Sequence, residues 1–246
     1  MQAARACAEM DMPWGQNICA FLSIALLAAA GVIFSWTLTL AQRAPSAAEI
    51  AGYSGLHAAA HQGDIEKITK LIAAGASLNE TDGHGRTPMH VAAFASHEDA
   101  VRRLATGGGD PNILEADRYD IITIAAVADD NDMLVAAIDV GGNPSNITSI
   151  YDGTALIAAA HLGHHQVVQT LIEAGAPLDH INNLGWTALI EAVILGDGKE
   201  RHIKTVRALV KAGADRNIAD RNGATPLDHA RQRGYQEMVK ILSGTE

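Results

Sequence analysis

The sequence predicts an all-α fold, a solenoid of about six helix-turn-helix units preceded by an N-terminal hydrophobic helix. Three observations carry it. The stretch Asp152 to Asp179 reads as a short apolar helix, a Gly-His break, a second amphipathic helix and a Gly turn, and it recurs along the chain. Its first-helix anchor Leu156 is matched by Leu56, Met89, Ile122, Leu189 and Leu227, so that consecutive anchors stand 33, 33, 34, 33 and 38 residues apart. Its second-helix anchor Leu171 is matched by Leu71, Leu104, Ala137, Leu209 and Leu242. A period near 33 residues with two helices per copy marks a stacked array, because one helix pair cannot bury its own apolar face and its neighbours must do so.

Taken in order, residues 1–41 read as a signal peptide or membrane anchor, 42–49 as a linker and 50–246 as the repeat domain. The units fall at about 50–81, 82–114, 115–148, 149–181, 182–219 and 220–246. Ile18 to Ala41 carries no charge and is long enough to span a bilayer. Thr39-Leu40-Ala41 offers a small-residue cleavage site that would leave Gln42 as the new N-terminus, whereas an uncleaved segment would be a single anchor. Arg5 and Arg43 flank the segment evenly and do not separate these readings, and Met10 or Met12 is an alternative start. Both readings place the repeats outside the cytoplasm, in the periplasm, secreted or tethered to the inner membrane.

Within the units, apolar residues of the second helices fall at helical spacing, as at Ile65, Ile68, Leu71 and Ile72. The first helices are Ala-rich (Ala58 to Ala60, Ala158 to Ala160), which lets neighbouring pairs approach closely. Thr87, Thr154, Thr187 and Thr225 are placed to cap first helices, with Pro88 and Pro226 at the next position, where no amide hydrogen is needed. Gly75, Gly175 and Gly213 end second helices, as does the run Gly107 to Gly109. The third unit departs from the pattern, with Asp120 for Thr, Asp129 for Gly and Ala137 for a large anchor. It also gathers Asp117, Asp130, Asp132 and Asp139. The fifth unit carries five extra residues around Asp197 to Arg201, expected as a surface loop.

Thr87-Pro88-Met89-His90 with Val91-Ala92-Ala93, and Thr225-Pro226-Leu227 with Ala230, resemble the T-P-L-H-x-A core of the ankyrin repeat. Gly163-His164 and the Gly-Ala turns at Gly75, Gly175 and Gly213 strengthen the resemblance, which covers roughly residues 50–244. It implies antiparallel helix pairs, hairpins projecting between units, structural roles for His57, His90 and His164, and a binding function. The chain is similar to exported proteobacterial ankyrin-repeat proteins, some of which support a periplasmic catalase while others neutralise a toxic effector.

The net charge of −10 argues against a nucleic-acid partner, which needs a basic face. Cys7 and Cys19 both precede the array, so the repeats hold no disulfide. No G-x-S-x-G, phosphate loop or H-E-x-x-H motif occurs, so no enzyme activity and no cofactor are expected. His57 with His61, and His161 with His164 and His165, raise an alternative histidine-based metal or enzymatic role, but no Cys or Glu recurs beside them at ligand spacing. The acidic group of the third unit matches no calcium loop and reads as a solvated face, or one that favours a basic partner.

By the resemblance, the variable positions of the hairpins and first helices line a concave face. Tyr53, Arg86, Tyr119 and Trp186 share one such position, three residues before the anchor. His84, Tyr151 and Leu184 share the position two residues earlier, and His61, Phe94, His161 and Ile194 the position five residues after the anchor. Tyr, Trp and Arg dominate binding energy at interfaces, so these eleven residues are the expected partner-binding set. The expected function is non-catalytic binding of a partner protein, a periplasmic enzyme or effector. A membrane-tethered assembly scaffold is the remaining alternative.

Overall fold

A computed structural model describes residues 42–245. The segment read as a signal or anchor, 1–41, lies outside the described residues. Among the described residues every regular element is helical, with one isolated bridge between Thr148 and Gly153, and no helix is long and apolar enough to cross a membrane.

A lead-in helix, α1 (Ala47–Gly52), precedes six helix pairs: α2 (Gly55–His61) with α3 (Ile65–Ala73), α4 (Pro88–Phe94) with α5 (Glu98–Thr106), α6 (Ile121–Ala128) with α7 (Asn131–Asp139), α8 (Ala155–Leu162) with α9 (His165–Glu173), α10 (Ala188–Ile194) with α11 (Glu200–Ala212), and α12 (Pro226–Arg233) with α13 (Gln236–Ser243). First helices pack on first helices from α2 to α12, and second on second from α3 to α13. The anchors Met89, Ile122, Leu156 and Leu189 and the alanines Ala59, Ala60, Ala159 and Ala160 form one continuous core between the two layers. Burying such side chains contributes about 1.5–3 kcal/mol each for the larger ones.

Thr87, Thr154, Thr187 and Thr225 accept the amides of His90, Ile157, Ile190 and Asp228, each cap contributing about 1 kcal/mol. Gly75, Gly175 and Gly213 stand at positive φ after their second helices, where a Cβ would be strained.

Three expectations need correction. Residues 42–49 are not a free linker: a capping box between Ser46 and Glu49 starts α1 at Ala47, and the stretch before it is hydrogen-bonded to later units. The insertion of unit five is not simply a loop, because Glu200 to Arg201 lie inside α11, which runs thirteen residues against nine in α9. The aspartates of unit three do not all share one acidic face, although Asp129, Asp130 and Asp132 line one surface concavity with Glu173. Asp120 is fully buried and caps α6, Asp130 caps α7, Asp139 pairs with Arg102 at 2.9 Å, and Asp129 takes the left-handed turn that ends α6.

Candidate functional site

The hairpins between units are built on one recurring acceptor, seven residues before each first-helix anchor. Asp82 accepts the amides of His84 and Arg86, Glu115 those of Asp117 and Tyr119, Asn182 those of Leu184 and Trp186, and Asp220 those of Asn222 and Ala224. Ser149 plays the part for Tyr151. Hairpins are joined side by side: the Ala116 amide donates to the His84 carbonyl, Ser149 to Arg118, and Asn183 to Tyr151. The result is a row of polar turns linked through their backbones.

A second row ties the joints between helix pairs, at the position eight residues after each anchor once the insertion is allowed for. His97 Nε2 lies 3.0 Å from the His61 carbonyl, His164 Nδ1 2.9 Å from that of Ala126, and His202 Nε2 3.0 Å from that of His161. A carbonyl can only accept, so each of these ring nitrogens carries the hydrogen. Tyr235 donates its hydroxyl to the Gly196 carbonyl at 3.0 Å, and at the joint of units two and three Ser96 donates to Asp130 at 2.6 Å. Nearer the hairpins, His57 Nε2 reaches the Arg86 carbonyl at 2.9 Å and His90 Nε2 the Tyr119 carbonyl at 3.2 Å. Burial pushes the His90 imidazole down to about 4, partly offset by its bonds to the Tyr119 and Ile113 backbone.

These engagements bear on the alternative metal reading. His57 and His164 spend a ring nitrogen on a backbone carbonyl, and His161 Nδ1 sits 3.3 Å from Glu191. Among the described residues no group of three or more His, Cys, Asp or Glu is arranged to hold a metal ion.

The expected partner-binding set divides. Arg86 is fully buried: Nε donates to Asp82 at 2.7 Å, Nη2 to Glu49 at 2.6 Å and Nη1 to the Arg43 carbonyl at 3.1 Å. Tyr119 is 6 % exposed within the core. Neither lines an accessible surface, which corrects the reading that bulky residues at this position face outward. Tyr53 is half-buried and gives its hydroxyl to Asp82 of the next unit at 2.7 Å, with its ring 5.5 Å from that of His57. Burial, then the Asp82 bond, push its phenol well above the usual range. Phe94 packs against the core, and His84 is 2.8 Å from Glu49. His61, His161 and Ile194 are half-buried along the first helices.

What remains most open is the hairpin side of units four and five. Tyr151 and Trp186 are half-buried there, Leu184 is 37 % exposed, and Ile150 and Ile181 are 65 % and 51 % exposed. Ile150 and Leu184 belong to adjoining hairpins, joined by the Asn183 side-chain amide on the Ile150 carbonyl at 3.0 Å. The sequence reading missed Ile150 and Ile181; both sit on polar turns, where an apolar residue with no helical period to obey is itself a signal.

The chain belongs to the ankyrin repeat family. The ankyrin repeat description in three copies matches residues 122–215, and that in many copies matches residues 56–105. The crystal structure of an ankyrin repeat domain from Acinetobacter baumannii superposes with a TM-score of 0.73 at 40 % identity, over 77 % of this chain and 96 % of that one. The ankyrin repeat protein YahD of Escherichia coli is 36 % identical over 50 residues, 20 % of this chain and only 25 % of its own length. A chain in the complex of a predatory endopeptidase from Bdellovibrio bacteriovorus with an immunity protein gives a TM-score of 0.65 at 25 % identity, over 79 % of this chain and 99 % of that one. Ankyrin repeats are protein-interaction modules and generally non-enzymatic scaffolds.

Proposed function

We propose that this chain is a non-catalytic binding protein that docks a partner protein on the hairpin and first-helix side of units four and five. One observation carries it: Ile150, Ile181 and Leu184 stand open beside the half-buried Tyr151 and Trp186, on adjoining hairpins whose own polar groups are already bonded to each other. Hot spots of this kind cost about 2 kcal/mol or more when truncated. Nearby charges are paired within the chain, Arg118 with Asp152 at 2.8 Å and Glu191 with Asn182 at 2.8 Å, so affinity comes from apolar contact more than charge. A preformed stack also loses little ordering entropy on docking.

The partner in this reading is an exported enzyme or effector held by the solenoid. The likeness to a chain of an endopeptidase–immunity protein complex supports that class. The uncharged stretch Ile18 to Ala41 supports export to the periplasm, with or without retention as an anchor. The test of docking is affinity capture from the native host with the wild-type chain and with Leu184→Asp/Trp186→Ala. A partner retained by the first and lost by the second supports the reading, and one retained equally by both refutes it. The test of export is the mass of the mature protein from the periplasmic fraction, where a start at Gln42 marks cleavage and recovery in the cytoplasm contradicts export.

A further inference from the structure

Arg86 occupies the same position relative to its anchor as Trp186, yet Trp186 is only half-buried and the Arg86 side chain is wholly covered. The difference is the stretch leading into α1. Its chain crosses from unit one over unit two to unit three. Glu49 pairs with Arg86 at 2.6 Å, the Arg43 carbonyl accepts from Arg86 at 3.1 Å, and Gln42 Nε2 reaches the Thr123 carbonyl in the first turn of α6 at 2.7 Å. The capping box of α1 fixes the geometry of this contact, because the Ser46 amide donates to Glu49 Oε2 at 2.7 Å and leaves Oε1 for Arg86 and His84.

The stretch is held by polar anchors and not by core packing. No residue from Gln42 to Gly52 is buried, and α1 contributes nothing to the core. A segment held in this way makes the contacts of a bound peptide: a carboxylate on a guanidinium, a backbone carbonyl on the same guanidinium, and a side-chain amide on a backbone carbonyl one unit further along. Asp82 holds one edge of Arg86 through Nε at 2.7 Å, so the guanidinium keeps that partner when the others leave.

We propose that Arg86, with the Thr123 carbonyl beyond it, forms a recognition site for a peptide segment that presents a carboxylate from a capped helical turn, and that Gln42–Gly52 is its resident ligand. The site adjoins the docking surface proposed above and rests on that reading. A partner that supplies such a segment competes with the resident one, so units two and three are closed until it is displaced. A tethered segment acts at an effective concentration on the order of millimolar, so a free peptide with an intrinsic Kd near 100 µM binds the intact chain about tenfold more weakly than a chain whose own segment is undocked.

The experiment uses the full chain and a fluorescein-labelled synthetic peptide of residues 42–52, followed by anisotropy. Glu49→Lys opposes Arg86 and undocks the resident segment. The expected result is at least tenfold tighter peptide binding by Glu49→Lys than by the wild type. A peptide in which Glu49 is replaced by Gln should lose most of that gain. A Glu49→Lys chain with wild-type circular dichroism that binds the peptide no better than the wild type would overturn the proposal. So would binding indifferent to the peptide's carboxylate, since the stretch would then be a fixed staple. If Glu49→Lys lacks the native spectrum, Glu49→Gln replaces it with the same two outcomes. Failure here leaves docking on units four and five standing, because that surface is read separately through Leu184 and Trp186.

Discussion

His202→Ala is the sharpest test of how the stack is joined. The ring is 1 % exposed, with Nε2 3.0 Å from the His161 carbonyl and Nδ1 2.8 Å from Asp197 Oδ1, so one side chain ties unit five both to unit four and to its own insertion. Removing two such bonds costs about 1 kcal/mol each. The void left between Gly163 and Gly196, whose α-carbons the ring approaches, adds about another 1 kcal/mol. The expected loss is therefore about 3 kcal/mol, concentrated at one joint. Because an array is stabilised by nearest-neighbour interfaces, weakening one joint should also uncouple units five and six from the rest. In urea titrations followed by circular dichroism and by hydrogen exchange, His202→Ala should lower the midpoint and expose α10 to α13 before α2 to α9. An unfolding free energy within about 0.5 kcal/mol of wild type, or a uniform loss of protection, would refute the assignment of this histidine as the tie between units.

Other substitutions probe the remaining contacts. Tyr235→Phe removes only the bond to the Gly196 carbonyl and should cost about 1 kcal/mol, or roughly 2–4 °C in Tm by calorimetry; an unchanged Tm would remove the tie. Burial pushes the Asp120 carboxyl up, although its bonds to Thr123 and Asn146 oppose this, so folding is penalised as pH rises through the carboxylate range. Asp120→Asn keeps the cap and should match or exceed wild-type stability at pH 7, with the difference shrinking below about pH 4, whereas Asp120→Ala should lose about 1–2 kcal/mol in the same denaturation assay. The docked lead-in segment should respond to acid. Glu49 is held at about 2 by the Ser46 hydroxyl and amide and then by Arg86. Burial raises Asp82, but bonds from Tyr53, the Arg86 and His84 amides and the Arg86 guanidinium bring it to about 2. A depressed carboxyl stabilises the fold above its unfolded value and loses that contribution as pH falls through the folded one. Hydrogen-exchange protection factors or cross-linking of residues 42–52 should therefore be constant from pH 5 to 8 and show release between about pH 4 and 2; release near pH 7 would contradict these contacts.

The array was legible because its determinants are local and repeated. Anchors such as Leu56 and Met89, the capping threonines, and the glycines at Gly75 and Gly175 each act within a few residues, and periodicity exposes them. Asp120 was read as a departure, yet Asp caps a helix as well as Thr does, so the third unit keeps its start. Exposure was less legible. Arg86, Tyr119 and Trp186 are equivalent by position, but their accessibility is set by what crosses them, and Gln42 bonds Thr123 from 81 positions away with no local pattern to announce it. Tyr53 and Tyr119 were assigned to gripping a partner, whereas Tyr53 bonds across to the next unit and Tyr119 fills the core. The joint histidines show the converse: of the three only His164 drew attention, as a possible ligand, whereas the common place of His97, His164 and His202 after the anchor was the clue to their role.

The central claim is that a partner docks on the hairpin side of units four and five, and its most direct measurement is binding to paired surface variants of equal stability. The partner captured from the native host is titrated against wild type, Leu184→Asp/Trp186→Ala, and Val135→Asp on the opposite layer, where Val135 is 39 % exposed on α7. Wild-type affinity is expected for Val135→Asp, and at least a thirtyfold loss for the hairpin pair, from about 2 kcal/mol or more at a hot spot. Loss of binding at Val135 with the hairpin pair unaffected would contradict the claim.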